Sequence, residues 1–318
     1  MRTKTTRTLR LPLALALLSA AVGAVAGCGN TQAGGHGAES RREARARQVA
    51  EAGAESRREA RARQVAEAWD GSGAARTWRA GYYPMGDAVQ PPEGGFRAGA
   101  DTRAFTTQNF VLRGTLPAAG REPGEVRWKS GAPLTLPLTK AREAYESVAR
   151  GGNDGPRLTV TGARPGRMAL ATSRGPATVP AWLFTLKGYD TPLRRAAVAP
   201  SKLPGPPIGP ARGVSASELE GLAGLVEVSG DGRSVTVAAG HGACDDGPAV
   251  HVLETGGSVV LSAFVTGTRE GSCTGEMRRQ EVTVRLAGRL GDRVLLDAFT
   301  GRPVPYGEPN GLSPSWSR

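Results

Sequence analysis

Residues 258–266, SVVLSAFVT, and residues 280–287, QEVTVRLA, alternate between apolar and polar side chains, which predicts half-buried antiparallel strands. Similar short segments, separated by turns such as Gly230-Asp231-Gly232, continue over residues 214–304. We expect these strands to follow one another in an up-and-down meander. The predicted elements are a short helix over Ser217–Leu222 and strands near 224–228, 233–240, 248–254, 258–266, 280–287 and 293–299.

A second β-rich region lies N-terminal to this one, over residues 71–203. Its aromatic residues stand among Gly and Pro, and one helix is predicted over Thr139–Arg150, with Thr139 as its N-cap and Gly151 as its stop. The Pro- and Gly-rich segment 204–213 cannot sustain a helix or an inner strand, so it is predicted to be a linker. The predicted strands of this region are 110–116, 125–129, 157–161, 167–172 and 181–186.

Residues 37–52, GAESRREARARQVAEA, are repeated letter for letter as residues 53–68. The composition and the opposite charges four residues apart predict a solvated helix. Sixteen residues advance a helix by about 4.4 turns, so the second copy faces roughly 160° away from the first. Val49 and Val65 therefore point in nearly opposite directions, and at most one copy can dock on a globular body while the other acts as a spacer. The alternative, binding to lipid head groups, requires Trp, Phe or Leu, and 37–68 contains none.

The N-terminus predicts export and lipid anchoring. Four basic residues within the first ten precede the apolar run Leu11–Val25, which is too short to span a bilayer as a permanent helix. The run ends in Val25-Ala26-Gly27-Cys28, which resembles the bacterial lipobox, in which the Cys thiol accepts diacylglycerol. We therefore expect acylation of Cys28 and a location on the extracytoplasmic face of the plasma membrane. No later apolar stretch is long enough to span a bilayer.

Composition excludes several classes of protein. With 39% hydrophobic and 22% charged residues, the 318-residue chain is not collagen-like, wholly disordered or a polytopic membrane protein. Its net charge of +12 comes from 41 basic residues, nearly all of them Arg. An exported chain does not meet genomic DNA, so we expect no nucleic-acid partner. The expected partners are the bilayer, through acylated Cys28, and an envelope protein or an anionic envelope polymer.

Cys244 and Cys273 remain as an even pair in an exported chain, which predicts a disulfide. In a meander, the loops that hold them, 241–247 and 267–279, fall at the same end of the sheet. Two alternatives are free thiols and a zinc site, although the ligand spacing is not a familiar one. The side chains for a zinc site would be His241, Cys244, Asp245, Asp246, His251 and Cys273.

No catalytic residues and no cofactor are assigned. The chain has no Gly-x-Ser-x-Gly, His-Glu-x-x-His, Walker or dinucleotide-binding motif. The leading interpretation is a non-enzymatic binding or structural module of the cell envelope. The rival is an envelope hydrolase with an unrecognised site around Ser173 or the 241–251 loop, where His241 or His251 would act as the base. A transporter's binding lipoprotein would need a large cleft between two domains, which lobes of such unequal length disfavour.

Parts of the chain resemble a group of secreted lipoproteins from high-GC Gram-positive bacteria. The resemblance implies an exported β-rich module with one disulfide and carries over no catalytic residues. Proteins of that group have a single copy of this stretch, whereas this chain has two. The difference concerns the length of the stalk and not the fold. The similar segments are Trp78–Pro84, Val179–Phe184, Cys244, Val250–Glu254, Cys273, Val282–Leu286 and Leu290–Val304.

The predicted fold class is α+β, predominantly antiparallel β, with two β-rich units after a helical stalk. The predicted organisation is a signal peptide (1–27), a lipidated Cys and stalk (28–70), a β-rich α+β domain (71–203), a linker (204–213), an antiparallel β domain with a disulfide (214–304) and a tail (305–318).

Overall fold

The structure of the chain, a computed structural model, describes residues 35–118, 123–129, 131–267, 273–307 and 311–313, with side chains described from residue 41 onwards. These residues form an α+β fold dominated by antiparallel strands, which confirms the predicted fold class. The chain divides into two compact units, Met1–Val49 and Ala50–Arg318. Among the described helices, none has the length and apolarity needed to cross a bilayer.

Helix α1 spans Gly35–Trp69 and contains both copies of the repeat. In the first unit, residues 41–49 are exposed, and Val49 keeps 67% of its surface accessible. In the second unit, Val65 occupies the same position of the second copy and is fully buried, 0% exposed. The second copy therefore packs on the globular part of its unit, in line with the prediction that only one copy can dock.

Polar contacts also hold the second copy, and Trp69 directly after it, against the β structure. The Arg58 guanidinium stacks on the Phe264 ring at 3.7 Å. Arg61 Nε donates to the Ala298 carbonyl at 2.9 Å, and Trp69 Nε1 donates to the Gly301 carbonyl at 2.9 Å. Because these carbonyls belong to one turn, helix α1 ends against a defined feature of the β structure.

The region after α1 forms one seven-stranded sheet with three short helices. The sheet has the order β1-β7-β6-β3-β4, and β5 pairs with both β6 and β2. Lys140 is the N-cap of α4, one residue later than predicted. The elements are α2 Gly73–Ala80, β1 Val89–Gln90, α3 Gly99–Thr106, β2 Phe110–Leu112, β3 Gly124–Trp128, β4 Leu134–Leu136, α4 Ala141–Val148, β5 Leu158–Thr172, β6 Gly175–Leu186 and β7 Leu193–Ala196.

Strand β5 runs without a break from Leu158 to Thr172. The prediction of two separate strands, 157–161 and 167–172, is therefore wrong, and Pro165 and Gly166 lie within one strand. Among the described strands, β2 pairs with β5 only as far as Val160, so most of β5 is an edge strand on that side. An edge strand tolerates proline because the missing N–H is not needed for the sheet. At Gly166, a Cβ would lie 2.5 Å from Leu183 Cδ1, so glycine lets the neighbouring strand approach.

The last seven strands form a sandwich of two sheets. One sheet has the order β12-β9-β8 and the other β10-β11-β13-β14, with β13 parallel to β11. The predicted strands are confirmed, but the predicted meander is wrong, because the chain changes sheet after β9, after β11 and after β12. The bounds are β8 Leu222–Val228, β9 Ser234–Gly242, β10 Gly247–Glu254, β11 Ser258–Thr266, β12 Met277–Arg285, β13 Val294–Asp297 and β14 Arg302–Pro303.

The four-stranded sheet is covered on both faces. Leu261 and Leu295 belong to the core shared with the three-stranded sheet. Val260 and Leu296 point to the other face and pack in the cluster that contains Val65 of α1. Because β11 and β13 are buried on both sides, their sequences are nearly continuous apolar runs rather than strict alternations.

Residues Ser217–Leu222 do not form the predicted helix. Backbone groups in and next to this segment form hydrogen bonds with strand β11 instead. The Val265 amide donates to the Ala216 carbonyl at 2.9 Å, and the Glu220 amide donates to the Ala263 carbonyl at 2.7 Å. Strand β8 then begins at Leu222. Pairing with β11 therefore replaces the hydrogen bonds that a helix would form within the segment.

Residues 204–213 form no helix or strand, as their composition predicts. Within the segment, Ile208 and Ala211 pack against the cluster around Val65. The Ala211 amide donates to the Phe299 carbonyl at 2.7 Å. The segment thus lies against the sandwich, and the division of the chain into separate domains at this point stays a prediction.

Candidate functional site

The structure brings Cys244 and Cys273 together. Their sulfurs are at disulfide-bonding distance and their Cα atoms are 5.8 Å apart, which agrees with the predicted disulfide. The bond joins two of the three connections by which the chain changes sheet, the loop after β9 and the segment before β12. Cys28, the predicted lipidation site, lies outside the described residues.

The side chains considered for zinc do not converge. His241 Nδ1 lies 3.0 Å from the carbonyl oxygen of Gly242, and Asp245 Oδ2 accepts the Gly242 amide at 2.6 Å. His251 packs edge-on against the Phe264 ring at 5.2 Å. Over the described part of the chain, no group of three or more His, Cys, Asp and Glu side chains is placed to hold a metal ion.

Ser173, the nucleophile considered for a hydrolase, lies in the β5–β6 turn and is 4% exposed. Its Oγ has no hydrogen-bond partner among the described residues. The neighbouring Thr172 makes the polar contacts of the turn: its Oγ1 accepts Trp128 Nε1 at 2.9 Å and donates to the Gly175 carbonyl at 2.7 Å. A buried hydroxyl without a hydrogen-bonded base is not an activated nucleophile.

A cleft of about 570 Å³ lies in the second unit. It lies where β8, β12 and residues 306–307 and 311–313 meet β1 and α3. The lining is mainly apolar, with a smaller number of polar groups. The apolar side chains that line it include Val89, Pro91, Phe105, Leu225 and Leu312, and the polar ones are Asp87, Arg279, Gln280, Glu281, Tyr306 and Ser313.

One wall of the cleft is built by extending β8. The Leu225 amide donates to the Pro305 carbonyl at 2.6 Å, and the Gly307 amide donates back to the Leu225 carbonyl at 2.9 Å. This pairing places Tyr306 beside the cleft. At Gly224 a Cβ would lie 2.8 Å from the Gly307 carbonyl oxygen, so only glycine permits so close an approach of the two backbones.

Hydrogen bonds also hold polar groups at the edge of the cleft. Tyr306 Oη donates to Asp87 Oδ1 at 3.0 Å, and the Val89 amide donates to Ser313 Oγ at 3.0 Å. Burial, the adjacent Asp87 carboxylate and the more remote Glu227 all raise the pKa of Tyr306, so this hydroxyl stays protonated and acts as a donor. The cleft therefore has a preformed polar edge above an apolar floor.

A second polar group of note is Asp297, which ends β13 and is 3% exposed. Burial raises its pKa from 3.8 to about 6, against the opposing effect of its hydrogen bonds. Its carboxylate accepts the Phe299 amide at 3.0 Å and Thr300 Oγ1 at 2.8 Å, which closes the turn to β14. Asp297 also lines a smaller cavity of about 270 Å³.

Sequence patterns did not identify the cleft. Asp87, Phe105, Leu225 and Tyr306 come from four separate segments, and none of them belongs to a motif with a recognised spacing. Comparisons of the chain with protein-family models, curated proteins and solved structures found no match. The arrangement is that of a binding cleft: mainly apolar surface with a few oriented polar groups.

Proposed function

We propose that the chain is a non-enzymatic, lipid-anchored binding protein on the extracytoplasmic face of the plasma membrane. The observation that carries the binding role is the cleft of about 570 Å³, a size typical of sites for small molecules. The anchoring role rests on the lipobox-like sequence that ends at Cys28 and on its position after an apolar export segment. Acylated Cys28 would hold the mature chain at the bilayer.

The repeat supports the same proposal. Copies of identical sequence lie in different environments: Val65 is buried in the globular part, whereas residues 41–49 are exposed. In our proposal the first copy separates the anchor from the globular part and adds up to about 24 Å of helix. Without the four basic residues of the predicted signal peptide the mature chain has a net charge of +8, which suits an anionic envelope polymer or an acidic envelope protein as a macromolecular partner.

The anchoring proposal is tested by cell fractionation. Substituting Cys28→Ala, or blocking lipoprotein signal peptidase with globomycin, should change processing of the N-terminus, and Cys28→Ala should move the protein from the membrane fraction to the medium. Val49→Ala is the control, because it changes one exposed side chain of the helix without touching the lipobox or the disulfide. Membrane retention that is unchanged by both treatments contradicts lipid anchoring.

A further inference from the structure

We propose that the cleft binds a small organic cation with an apolar body, such as an aralkyl ammonium ion. The inference rests on the proposed binding function and adds the chemical class of the ligand. It is carried by two independent properties of the cleft, its apolar and aromatic lining and the sign of the charge at its edge.

The floor of the cleft can accept an apolar body. Phe105 and Leu312 line the cleft and are partly exposed, so a ligand can contact them. Leu225 and Val89 are 0% and 2% exposed, so the lining rests on a packed core. Phe105 and Tyr306 add two aromatic rings to the lining. Aromatic faces attract alkylammonium groups, and this attraction adds to the gain from burying the apolar part of the ligand.

The charge at the edge favours a cation. Two carboxylates, Asp87 and Glu281, line the cleft, and one cation, Arg279, lines it with them. A third carboxylate, Glu227, is near enough to act on the Tyr306 hydroxyl. The edge is thus acidic in a chain whose net charge is +12. Such a local inversion of sign favours cationic ligands over anionic ones.

Asp87 is the carboxylate best placed to meet the ligand. It accepts the Tyr306 hydroxyl through Oδ1 at 3.0 Å, which holds the carboxylate at the edge of the cleft. Carboxylate oxygens have several acceptor sites, so this bond leaves capacity for a second donor. An ammonium group seated there would contact Asp87 while its apolar part lies against Phe105 and Leu312.

Isothermal titration of the full chain in a non-ionic detergent tests the inference with three probes of similar size: phenethylammonium, 2-phenylethanol and phenylacetate. We expect the cation to bind at least about tenfold more tightly than the neutral alcohol, and the anion to bind most weakly. Because the contact is partly ionic, higher salt should weaken binding of the cation.

Variants locate the site. Asp87→Asn and Glu281→Gln should each raise the Kd for phenethylammonium by about three- to tenfold, with smaller effects on the alcohol. Glu276→Gln is the matched control, because Glu276 pairs with Arg278 at 3.1 Å, is not among the residues that line the cleft, and should leave the Kd unchanged. Thermal unfolding of each variant shows whether it is folded.

Three outcomes overturn the inference. Equal binding of cation and alcohol, or a preference for phenylacetate, refutes the cationic class while leaving a binding cleft in place. Cation binding that is unaffected by Asp87→Asn and Glu281→Gln places the ligand elsewhere. Failure of all three probes to bind refutes the inference and also counts against the small-molecule role of the proposed function, whereas lipid anchoring is judged separately by fractionation of Cys28→Ala.

Discussion

At the scale of single residues, Val49 and Val65 provide an internal comparison. They occupy the same position in two identical sixteen-residue copies, but Val49 is 67% exposed and Val65 is 0% exposed. The local sequence is the same over each copy, so a difference between the two sites reports tertiary packing rather than helix propensity.

We predict that Val65→Ala lowers the free energy of unfolding by about 1 to 2 kcal/mol, because two buried methyl groups are lost and the gain in helix propensity offsets a part of that loss. Val49→Ala, the matched control, should change it by less than about 0.5 kcal/mol. Urea denaturation followed by circular dichroism measures both. Equal effects at the two positions would show that Val65 is not packed as described.

Asp297 makes a pH-dependent contribution. Its pKa is raised by burial to about 6, so the folded state binds the proton more tightly than the unfolded state does. The contribution of such an acid to stability is greatest below pH 4 and falls as the pH rises to about 6. The shift of about two pKa units corresponds to a decline of about 3 kcal/mol across that interval.

We predict that Asp297→Asn removes this decline. The difference in unfolding free energy, wild type minus variant, should fall by up to about 1.4 kcal/mol per pH unit between pH 4 and pH 6 and should then level off. Urea denaturation at intervals of half a pH unit gives the two curves. Curves that run parallel from pH 4 to pH 7 would contradict a raised pKa at Asp297.

At the scale of elements, the disulfide joins two of the three crossings between the sheets of the sandwich, those after β9 and after β11. It closes a loop over a sequence separation of 29 residues. We predict that the double variant Cys244→Ser/Cys273→Ser loses about 3 to 4 kcal/mol of stability, since the unfolded chain regains the entropy that the loop removed. Chemical denaturation of the oxidised protein and of the double variant measures the difference.

Peptide mass mapping of the non-reduced protein tests directly whether Cys244 and Cys273 are bonded. Peptides that contain Cys244 and Cys273 should be found linked to each other. Two cysteines that alkylate freely in the non-reduced protein would refute the bond and, with it, the predicted loss of stability.

Sequence patterns predicted the strands of the sandwich well, because a strand with one face in the core alternates with period two. Strand β9, Ser234–Gly242, shows this alternation of buried and less buried residues close to the predicted range 233–240. Strand β11, Ser258–Thr266, has the predicted bounds, but the prediction that it is half-buried is wrong because both of its faces are covered. The same alternation does not say which strand lies alongside, so the parallel pairing of β13 with β11 was missed. The helix predicted over Ser217–Leu222 failed because tertiary pairing overrode a weak local signal.

Short elements and the cleft were less predictable. Helices α2 and α3 have eight residues each, which is too few for a clear amphipathic period. The disulfide was predictable because the predicted export and the even count of cysteines after Cys28 point to one pairing. The cleft was not, because Asp87 and Tyr306 are 219 residues apart and meet only in the folded chain.

At the scale of the whole molecule, the repeat permits a deletion that has only one possible product. Because the copies are identical, removing residues 37–52 and removing residues 53–68 yield the same polypeptide. In that polypeptide the remaining copy still precedes Trp69, whose ring is fully buried and bonded to the Gly301 carbonyl. The docked helix should therefore form again with all of its contacts.

We predict that this single-copy protein keeps the unfolding free energy of the parent to within about 0.5 kcal/mol, because the lost residues correspond to an exposed copy. Denaturation of both chains in urea, with equal m-values, is the expected result. A loss of several kcal/mol would mean that residues 41–49 make contacts that stabilise the folded state.

Trp69 follows the second copy, whereas Gly53 follows the first. Whatever the number of copies, the copy adjacent to the Trp69 indole is the one that packs, and every further copy is added on its N-terminal side. Each added copy turns the helix by roughly 160°, so successive copies never build a continuous apolar stripe. Expansion or contraction of the gene by whole repeats would then change the length of the helix in steps of about 24 Å without changing the sequence of the copy that packs, and under the proposed acylation of Cys28 those steps would set the length of chain that follows the lipid.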